Sequence, residues 1–553
     1  MLIFKQSFFM LYLFFMLIIL LPVLTGFGEI FQRTFGNLSN GIASKLLTGL
    51  LSVSFIFTVI SFFAPLTMAV ELSTVAVGLI AFFHYQSYVK FWDFLSDKGS
   101  SFTVITLITI FFAAGYPFIF DHFGYFVPTV KWVAEFGLVQ GISNLDLLLG
   151  QMSVWHILQA GFSHFSDPFL RINLLMMITY LIYVYEKKAW THLIFFPVLY
   201  FFIQSPSPDL PAIVLSLIIL NEVLLKNKNY GLVFTLSVLV FAIKPTIVWL
   251  PLFVGLHIFF ISKSGVKALF PGVVLLLLFL FKSIWVFGFP VFPVQFIDFN
   301  LSWKPNAELL LNSSEMAIQK TYDMQFTTAE IEKFSFLDHL KNWLFLDGIK
   351  GKIHLFFIIS LLVFLIFAVR QKSKVIWLLF TAIMFKTFLV LMFSAQYRFF
   401  LDVFFVVFFI IFYKTFTQKR CIAMFGVLSL AIALFLSFPV LITKVFPGFK
   451  LGNFMTGFSK NQWYKPSYFE LNEFKSYQIG NLKFNIVRDY PFSFDTPLPA
   501  ISPQFIQEDL DAGIFPQMKG KSLKEGLIWK KITEEEKTQI RKILDEWAVE
   551  NHD

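Results

Sequence analysis

Apolar runs of roughly helix-spanning length, separated by short polar connections, recur along most of this chain. A helix needs about 20 predominantly apolar residues to cross the hydrocarbon of a bilayer, within a range of about 17–25. On that ruler about fourteen stretches qualify, and about twelve if the weakest are dropped. They lie near residues 8–24, 43–65, 67–89, 102–120, 171–186, 190–204, 209–225, 230–245, 246–262, 268–286, 354–370, 375–393, 399–413 and 421–441. The weakest are 190–204, which is short, and 230–262, where Lys244-Pro245 interrupts a long apolar run. The expected fold is therefore an all-α polytopic membrane protein. It divides into extra N-terminal helices (1–100), a transmembrane core (101–443) with large loops at 121–170 and 287–353, and a C-terminal domain (444–553). Phe8–Leu24 lacks a small-residue cleavage site and further spans follow, so it is expected to be a retained helix and not a secretory signal.

The pattern changes in two places. Asp121 begins a polar stretch just where the apolar run Ser101–Phe120 ends, and two short amphipathic patterns follow before the next span starts near Arg171. In the first, Pro128 suits an opening helical turn. Val130, Val133 and Phe136 give it one apolar face. The second covers Met152–Phe165 and carries His156 and His164. Hydropathy also falls after Val445. Beyond it come a Pro-rich extended run, PFSFDTPLPAISPQ (491–504), and a charged helix, Ile532–Asp553, which Thr533 and Glu536 open as a capping box. The tail is expected to be a small soluble α+β or irregular domain.

Composition agrees with the pattern. The 553 residues are 57% hydrophobic and 14% charged, with a mean hydropathy of +0.72, against about 25% charged residues in soluble domains. The lone Cys421 has no second cysteine to pair with. The net charge of +9 is spread over short loops, so it reports orientation and not nucleic-acid binding. Lysine and arginine accumulate in cytoplasmic loops. One set of alternate connections holds nearly all of them, from Arg33, Lys45, Lys90 and Lys98 through Lys187 and Lys226 to Arg370, Lys419 and Arg420. The other set carries little beyond Lys131, Lys244 and Arg398. Asp121, the 204–209 turn, the 287–353 segment and the tail are thus expected on the outer face of the cytoplasmic membrane.

The candidate chemistry lies on that same side, and each residue has a plainer structural alternative. Asp121, with His122 beside it, is a candidate catalytic or substrate-binding carboxylate; an acid at an interface also simply caps a helix. Lys131-Trp132 reads first as an interfacial anchor with a snorkelling lysine, and second as a phosphate contact. His156 and His164 lie two turns apart without a metal-binding motif, so no metal site is expected there. Asp209, in QSPSPDLP, suits a turn that caps the next helix and is also a candidate substrate contact. Lys244 sits at a Lys-Pro break within an apolar run, which makes it a functional candidate. The groups freed by Pro245 must then face protein or water. Arg398, in SAQYRFF, suits bidentate phosphate binding or a snorkelling anchor. Lys386 lies inside a span and is expected to pair internally.

The string DxxGYxxPTVKW…GLVxGxxNLxxxLGxxSxWH resembles a group of bacterial polytopic proteins. So do VFGFPVFPVQFIDFNLSWKP (286–305), AQYRFF (395–400) and, in the tail, DTPLP. The likeness covers about residues 100–440 and looks like the C-type glycosyltransferase superfamily, multi-span enzymes that use polyprenyl-phosphate-linked sugars on the outer face of the membrane. What the resemblance implies is a glycosyltransferase core in which the first large outer loop supplies the base. That acid maps to Asp121, and the helices that roof it map to 127–136 and 152–165. His122 stands where the superfamily often has a second acid, and the first three spans are additions. Lys131, Asn144 and His156 fall within the matching string and join Asp209, Lys244 and Arg398 as substrate-binding candidates.

The chemistry is coherent on its own terms. Sugar transfer from a lipid phosphate needs a carboxylate to deprotonate the acceptor hydroxyl and cations against the leaving phosphate. The partners expected are a polyprenyl-phosphate-linked sugar, membrane lipid, and a glycan, lipid or protein acceptor, with no nucleic acid. The sequence names no cofactor and leaves a divalent metal open. Three other classes compete with transfer: a polysaccharide polymerase or ligase, for which outer arginines are sparse; a transporter of lipid-linked glycan; and a non-catalytic envelope scaffold.

Overall fold

The computed structural model describes residues 10–438 and 473–550 apart from 489, together with 440, 444, 462 and 466–468. The first residues of the 8–24 stretch, most of 441–472 and the end of the charged C-terminal helix lie outside the described residues. Helices α1 (Met10–Phe35), α2 (Ile42–Phe63), α3 (Met68–His84), α4 (Ser87–Asp97) and α5 (Ser100–Ala113) come first. The loop that follows holds α6 (Val127–Phe136) and α7 (Val154–Ala160). Then come α8 (Ile172–Lys187), the short α9 (Phe196–Leu199), α10 (Asp209–Leu224), α11 (Tyr230–Ile243), α12 (Trp249–His257) and α13 (Phe270–Phe287). Between the next two long apolar stretches lie α14 (Ala307–Thr321), α15 (Thr328–Ile331) and α16 (Phe336–Leu344). The bundle closes with α17 (Ile349–Gln371), α18 (Lys374–Phe393), α19 (Leu401–Ile411) and α20 (Gln418–Ser437).

Each stretch read as a span carries helix, but the helices differ in length. Among the described residues seven are long and apolar enough to cross a membrane, and α3–α4 form a pair bent by 77°. The remainder are shorter, for identifiable reasons. The run 102–120 stops being helical at Ala113, ahead of Gly115 and Pro117, where a proline N–H is missing. The run 190–204 is mostly 3₁₀ turns, and Lys244-Pro245 ends α11. Helices α8, α10 and α11 are buried along nearly their whole length. The longer α13, α17 and α20 lie outside them and expose large apolar side chains such as Leu277, Phe356 and Leu430. Contiguous exposed apolar faces of that kind need a lipid solvent. This is a membrane protein.

The helices run back and forth between two ends. At one, the Glu186 carboxylate accepts from the Ile42 and Ala43 amides that open α2, Asn227 donates to the Leu38 carbonyl, and Lys187 pairs with Glu222. The basic residues from Arg33 to Arg420 gather in the connections at this end. At the other end lie the 64–67 turn, the loop 121–170, the 285–304 segment and the tail. There Leu66 N donates to the Val133 carbonyl and Trp285 Nε1 to the Leu138 carbonyl.

The tail is a small α+β unit. Two antiparallel hairpins, β1–β2 (Phe474–Ile479, Leu482–Val487) and β3–β4 (Ile514–Met518, Leu527–Lys531), flank α21 (Pro503–Asp511) and precede α22 (Glu534–Glu550). The expected capping box is present: Thr533 and Glu536 exchange hydrogen bonds at the start of α22.

Glycines let α1, α2 and α3 cross closely. A Cβ on Gly49 would fall 1.8 Å from the Leu24 carbonyl oxygen, and one on Gly26 would fall 2.0 Å from that of Gly78. These neighbours are backbone, which cannot swing aside, so a larger residue must separate the helices. Gly49→Leu should lower the thermal midpoint of the detergent-solubilised protein, with a loss of about 1–3 kcal/mol. An unchanged midpoint would show that this crossing is not rigid.

Candidate functional site

Gly115 and Pro117 keep residues 114–120 out of helix, and the chain then re-enters through a five-residue π-helical turn, His122–Phe126, that feeds α6. Asp121 caps this turn, so its carboxylate stands at the bundle end while the next side chains turn inward. It is half-exposed and meets Arg398, 277 residues away, with Nη1 3.3 Å from Oδ2. Arg398 lies on a 3₁₀ turn, Tyr397–Phe399, between α18 and α19. That turn is pinned from below. Trp343 Nε1 donates to the Ala395 carbonyl at 2.8 Å, the Ala395 amide donates to Thr321 Oγ1, and Ser394 donates to the Ala317 carbonyl. The end of α14 is thereby fastened beside Arg398.

A second and third ion pair lie deeper. Asp402 pairs with the fully buried Lys386 and also accepts from Trp249 Nε1 at 2.7 Å, the internal partner expected for that lysine. Lys244 pairs with Asp209, whose other oxygen lies within reach of Ser207. Lys244, a substrate-binding candidate, is engaged by Asp209 where the broken α11–α12 passes the 204–209 turn. One face of this turn is bound by His156, with Nε2 3.1 Å from the Pro206 carbonyl.

Several candidates prove to hold the fold together. His122 is buried, away from the exposed carboxylate beside it, and burial holds its pKa well below the usual histidine value. His156 is likewise pushed down to about 3 by burial. Burial thus disfavours the charged form of both imidazoles, and that of His156 is engaged by the Pro206 carbonyl. Asn144 is buried and donates to the Gly141, Trp303 and Leu527 carbonyls, joining the loop, the 285–304 segment and β4. His164 holds the Leu66 carbonyl. Among the described residues no three histidine, cysteine or carboxylate side chains gather to hold a metal ion.

The two roof helices are built into the protein: α6 and α7 are mostly buried, with Trp132 and Trp155 fully enclosed. Phe57 of α2 covers the end of α7, meeting the Phe162 ring edge to face and filling the space beside Gly161. The tail covers the π turn and α6. Phe494 packs on Phe123 and its amide donates to the Phe123 carbonyl, and Phe492 lies against Phe120 and Gly124. Lys131 pairs with Asp495 at 2.7 Å and donates to the Asp495 and Thr496 carbonyls. Lys131 is therefore a clasp for the tail, and its neighbour Trp132 is not an interfacial anchor.

The docked tail brings acids that local sequence did not single out. Glu508 and Asp509 of α21 face the loop, where Asp146 N-caps a 3₁₀ turn through the Leu148 amide. Burial raises the Asp146 carboxyl to about 7, and burial with the nearby Glu508 and Asp146 raises Asp509 well above its usual value. Lys320, at the end of α14, lies in the field of Arg398, Asp121 and Glu508 together. One signal for α21 was present, a proline-headed amphipathic run after DTPLP. Nothing local tied it to Asp121.

Fold and site define a multi-helix membrane protein in which a half-exposed acid–arginine pair lies at the bundle end that carries the docked tail. A family model described as a domain of unknown function (DUF8201) matches residues 10–405, and the chain belongs to that family. No curated protein and no solved structure matches it.

The buried acids make tail docking pH-dependent. Folding raises the Asp146 carboxyl above its unfolded value near 3.8 to about 7. Its contribution is therefore complete below about pH 4 and is lost as pH rises towards about 7. Hydrogen-exchange protection of 503–511, corrected for intrinsic rates, should fall by about tenfold or more across that window. It should flatten in Asp146→Asn, and a profile unchanged by that substitution would remove Asp146 as the cause.

Proposed function

We propose that the protein transfers a glycosyl group from a polyprenyl-phosphate-linked donor to an acceptor, with Asp121 as general base and Arg398 against the donor phosphate. On this reading the helices form a C-type glycosyltransferase core of 12–14 spans, and the Asp121 end faces outward from the cytoplasmic membrane. The observation that carries it is the Asp121–Arg398 pair: an acid and an arginine from distant parts of the chain, brought together at the end of an apolar bundle and left half-exposed.

The energetics favour a working pair over a staple. An exposed ion pair contributes about 0–1 kcal/mol, whereas a hydrogen bond to a charged group contributes about 1.5–3 kcal/mol. A phosphate with two oxygens for the guanidinium fork thus competes well for Arg398. Its arrival releases the Asp121 carboxylate to accept the proton of an acceptor hydroxyl. As the acceptor oxygen bonds to the anomeric carbon, the bond to the phosphate oxygen breaks, and the charge that grows there is met by Arg398. Lys244, neutralised by Asp209, is given no part in this step. A second reading, transport of the lipid-linked glycan, draws on the break at Lys244-Pro245 and the bend between α3 and α4. It predicts exchange of labelled lipid across vesicles without any glycosylated product.

In proteoliposomes supplied with polyprenyl-phosphate sugars, Asp121→Asn should lower transfer by about 10²–10⁴-fold with unchanged expression and thermal midpoint. Full activity in that variant would remove Asp121 as base.

A further inference from the structure

The end of α14 lies against the segment that leads into Arg398 and carries a lysine, Lys320. Thr321 and Ala317 bind the Ala395 amide and the Ser394 hydroxyl, so the last turn of α14 is fixed against the strand that leads into Arg398. Just beyond it, Lys350 pairs with Asp323 and lies over the Tyr397 ring, 5.7 Å from its centroid, which closes the other side of the same turn. Lys320 projects from this fastened helix end and is exposed. Among the described residues no salt bridge engages it, in contrast to Lys131, Lys244 and Lys386. From the tail, α21 approaches with Glu508, half-buried and steadied by Gln504 Nε2 at 2.9 Å.

Resting on the transfer reading above, we propose that Lys320 and Arg398 together form a receptor for the phosphate of a lipid-linked donor, and that Glu508, carried in by the docked tail, is the carboxylate this phosphate must compete with. Two cations from different elements suit a phosphate better than either alone: the guanidinium fork fixes orientation and the ammonium adds a compact point charge. Both side chains reach solvent, yet partial desolvation is the largest influence on Lys320 and disfavours its charge, with Arg398 acting as a like charge and Asp121 and Glu508 as opposite ones. An anion bound between the two cations relieves their mutual repulsion and takes the place of both carboxylates. Because Glu508 belongs to the tail, the affinity of the site depends on whether the tail is seated on the 120–131 turn. The tail is thus part of the binding site, not an appendage to it.

The test is binding, measured on the full chain in detergent by titration calorimetry with polyprenyl phosphate and, separately, inorganic phosphate. Lys320→Met should weaken polyprenyl phosphate binding by about tenfold or more, and Lys320→Arg should restore most of it. Glu508→Gln, which removes the charge but keeps the shape, should tighten binding by about threefold. The same ordering with inorganic phosphate would mark the phosphate itself as the recognised group; binding of the lipid alone would mark the lipid phosphate as the source. Wild-type affinity in Lys320→Met, or weaker binding in Glu508→Gln, overturns the proposal and leaves the transfer reading standing. Lys320-dependent binding with no transfer of sugar has the opposite meaning, and failure of the wild type to bind either ligand overturns the receptor outright.

Discussion

A charge placed inside an apolar bundle must be matched where it stands, because the cost of an unpaired one exceeds most of what packing returns. This constraint organises the molecule. Glu71, fully buried, accepts from the three consecutive amides of His164, Phe165 and Ser166 and so fixes the end of the large loop. Glu186 does the same for the start of α2. Glu222 takes Tyr183, Asn227 and Lys187 together. Lys282 is satisfied by the Gln151 and Met152 carbonyls, and Lys386 by Asp402, itself held by Trp249. Each of these groups joins elements far apart in the chain, and removing one partner would leave the other buried and unmet. Against that background Asp121–Arg398 is the exception. It has a single contact at the long end of the normal range, lies half in solvent and has no second carboxylate oxygen engaged by Arg398. A pair so weakly held contributes little to the fold.

The tail extends the same logic to an interface. Its contacts alternate between apolar insertions, Phe492 and Phe494 against the π turn, and polar clasps such as Lys131–Asp495 and Lys519 with Gln140. Backbone hydrogen bonds from Leu527 to Gln140 and from Phe494 to Phe123 set the register. Such a mixed surface resembles interfaces that dock and release more than it resembles a permanent core. Asp146 of the loop and Asp509 of the tail are both buried, and burial raises both carboxyls, so ionising them is penalised. The tail is therefore held firmly by its aromatic contacts at one side of the site and conditionally, through acids, at the other.

Much of this architecture was legible in the sequence. The apolar runs located the helices, and the basic residues sorted the connections onto two ends because helices alternate direction regardless of length. The capping box at Thr533 was readable because it is local. What failed was non-local. Helix lengths were overestimated wherever a Gly-Pro or Lys-Pro break cut a run that hydropathy alone treats as continuous, as at 114–120. Lys131, Asn144 and His156 have the residue types of a binding site, yet their partners are Asp495, Leu527 and Pro206, and no window around them contains that information. Asp121 stood out because it follows an apolar run, and Arg398 because it opens one. Lys320 and Glu508 sit in polar helices where lysine and glutamate are ordinary, so their nearness to the pair emerges only when α14 and the tail are folded onto the same end.

The π-helical turn sits where the chain passes from the rim of the bundle into the protein. Neighbouring side chains on a helix already point about 100° apart, so burial of His122, Phe123 and Phe126 leaves Asp121, just ahead of the turn, at the rim. The π turn adds a residue to this single turn. The insertion lasts because the tail braces it: Phe494 caps Phe123, and Gly124 leaves room for the Phe492 ring, which a Cβ would meet at 3.0 Å. The tail that packs on this turn is the one that carries Glu508, so on the reading proposed above the surroundings of the acid and the charge of the site are coupled through one docked unit.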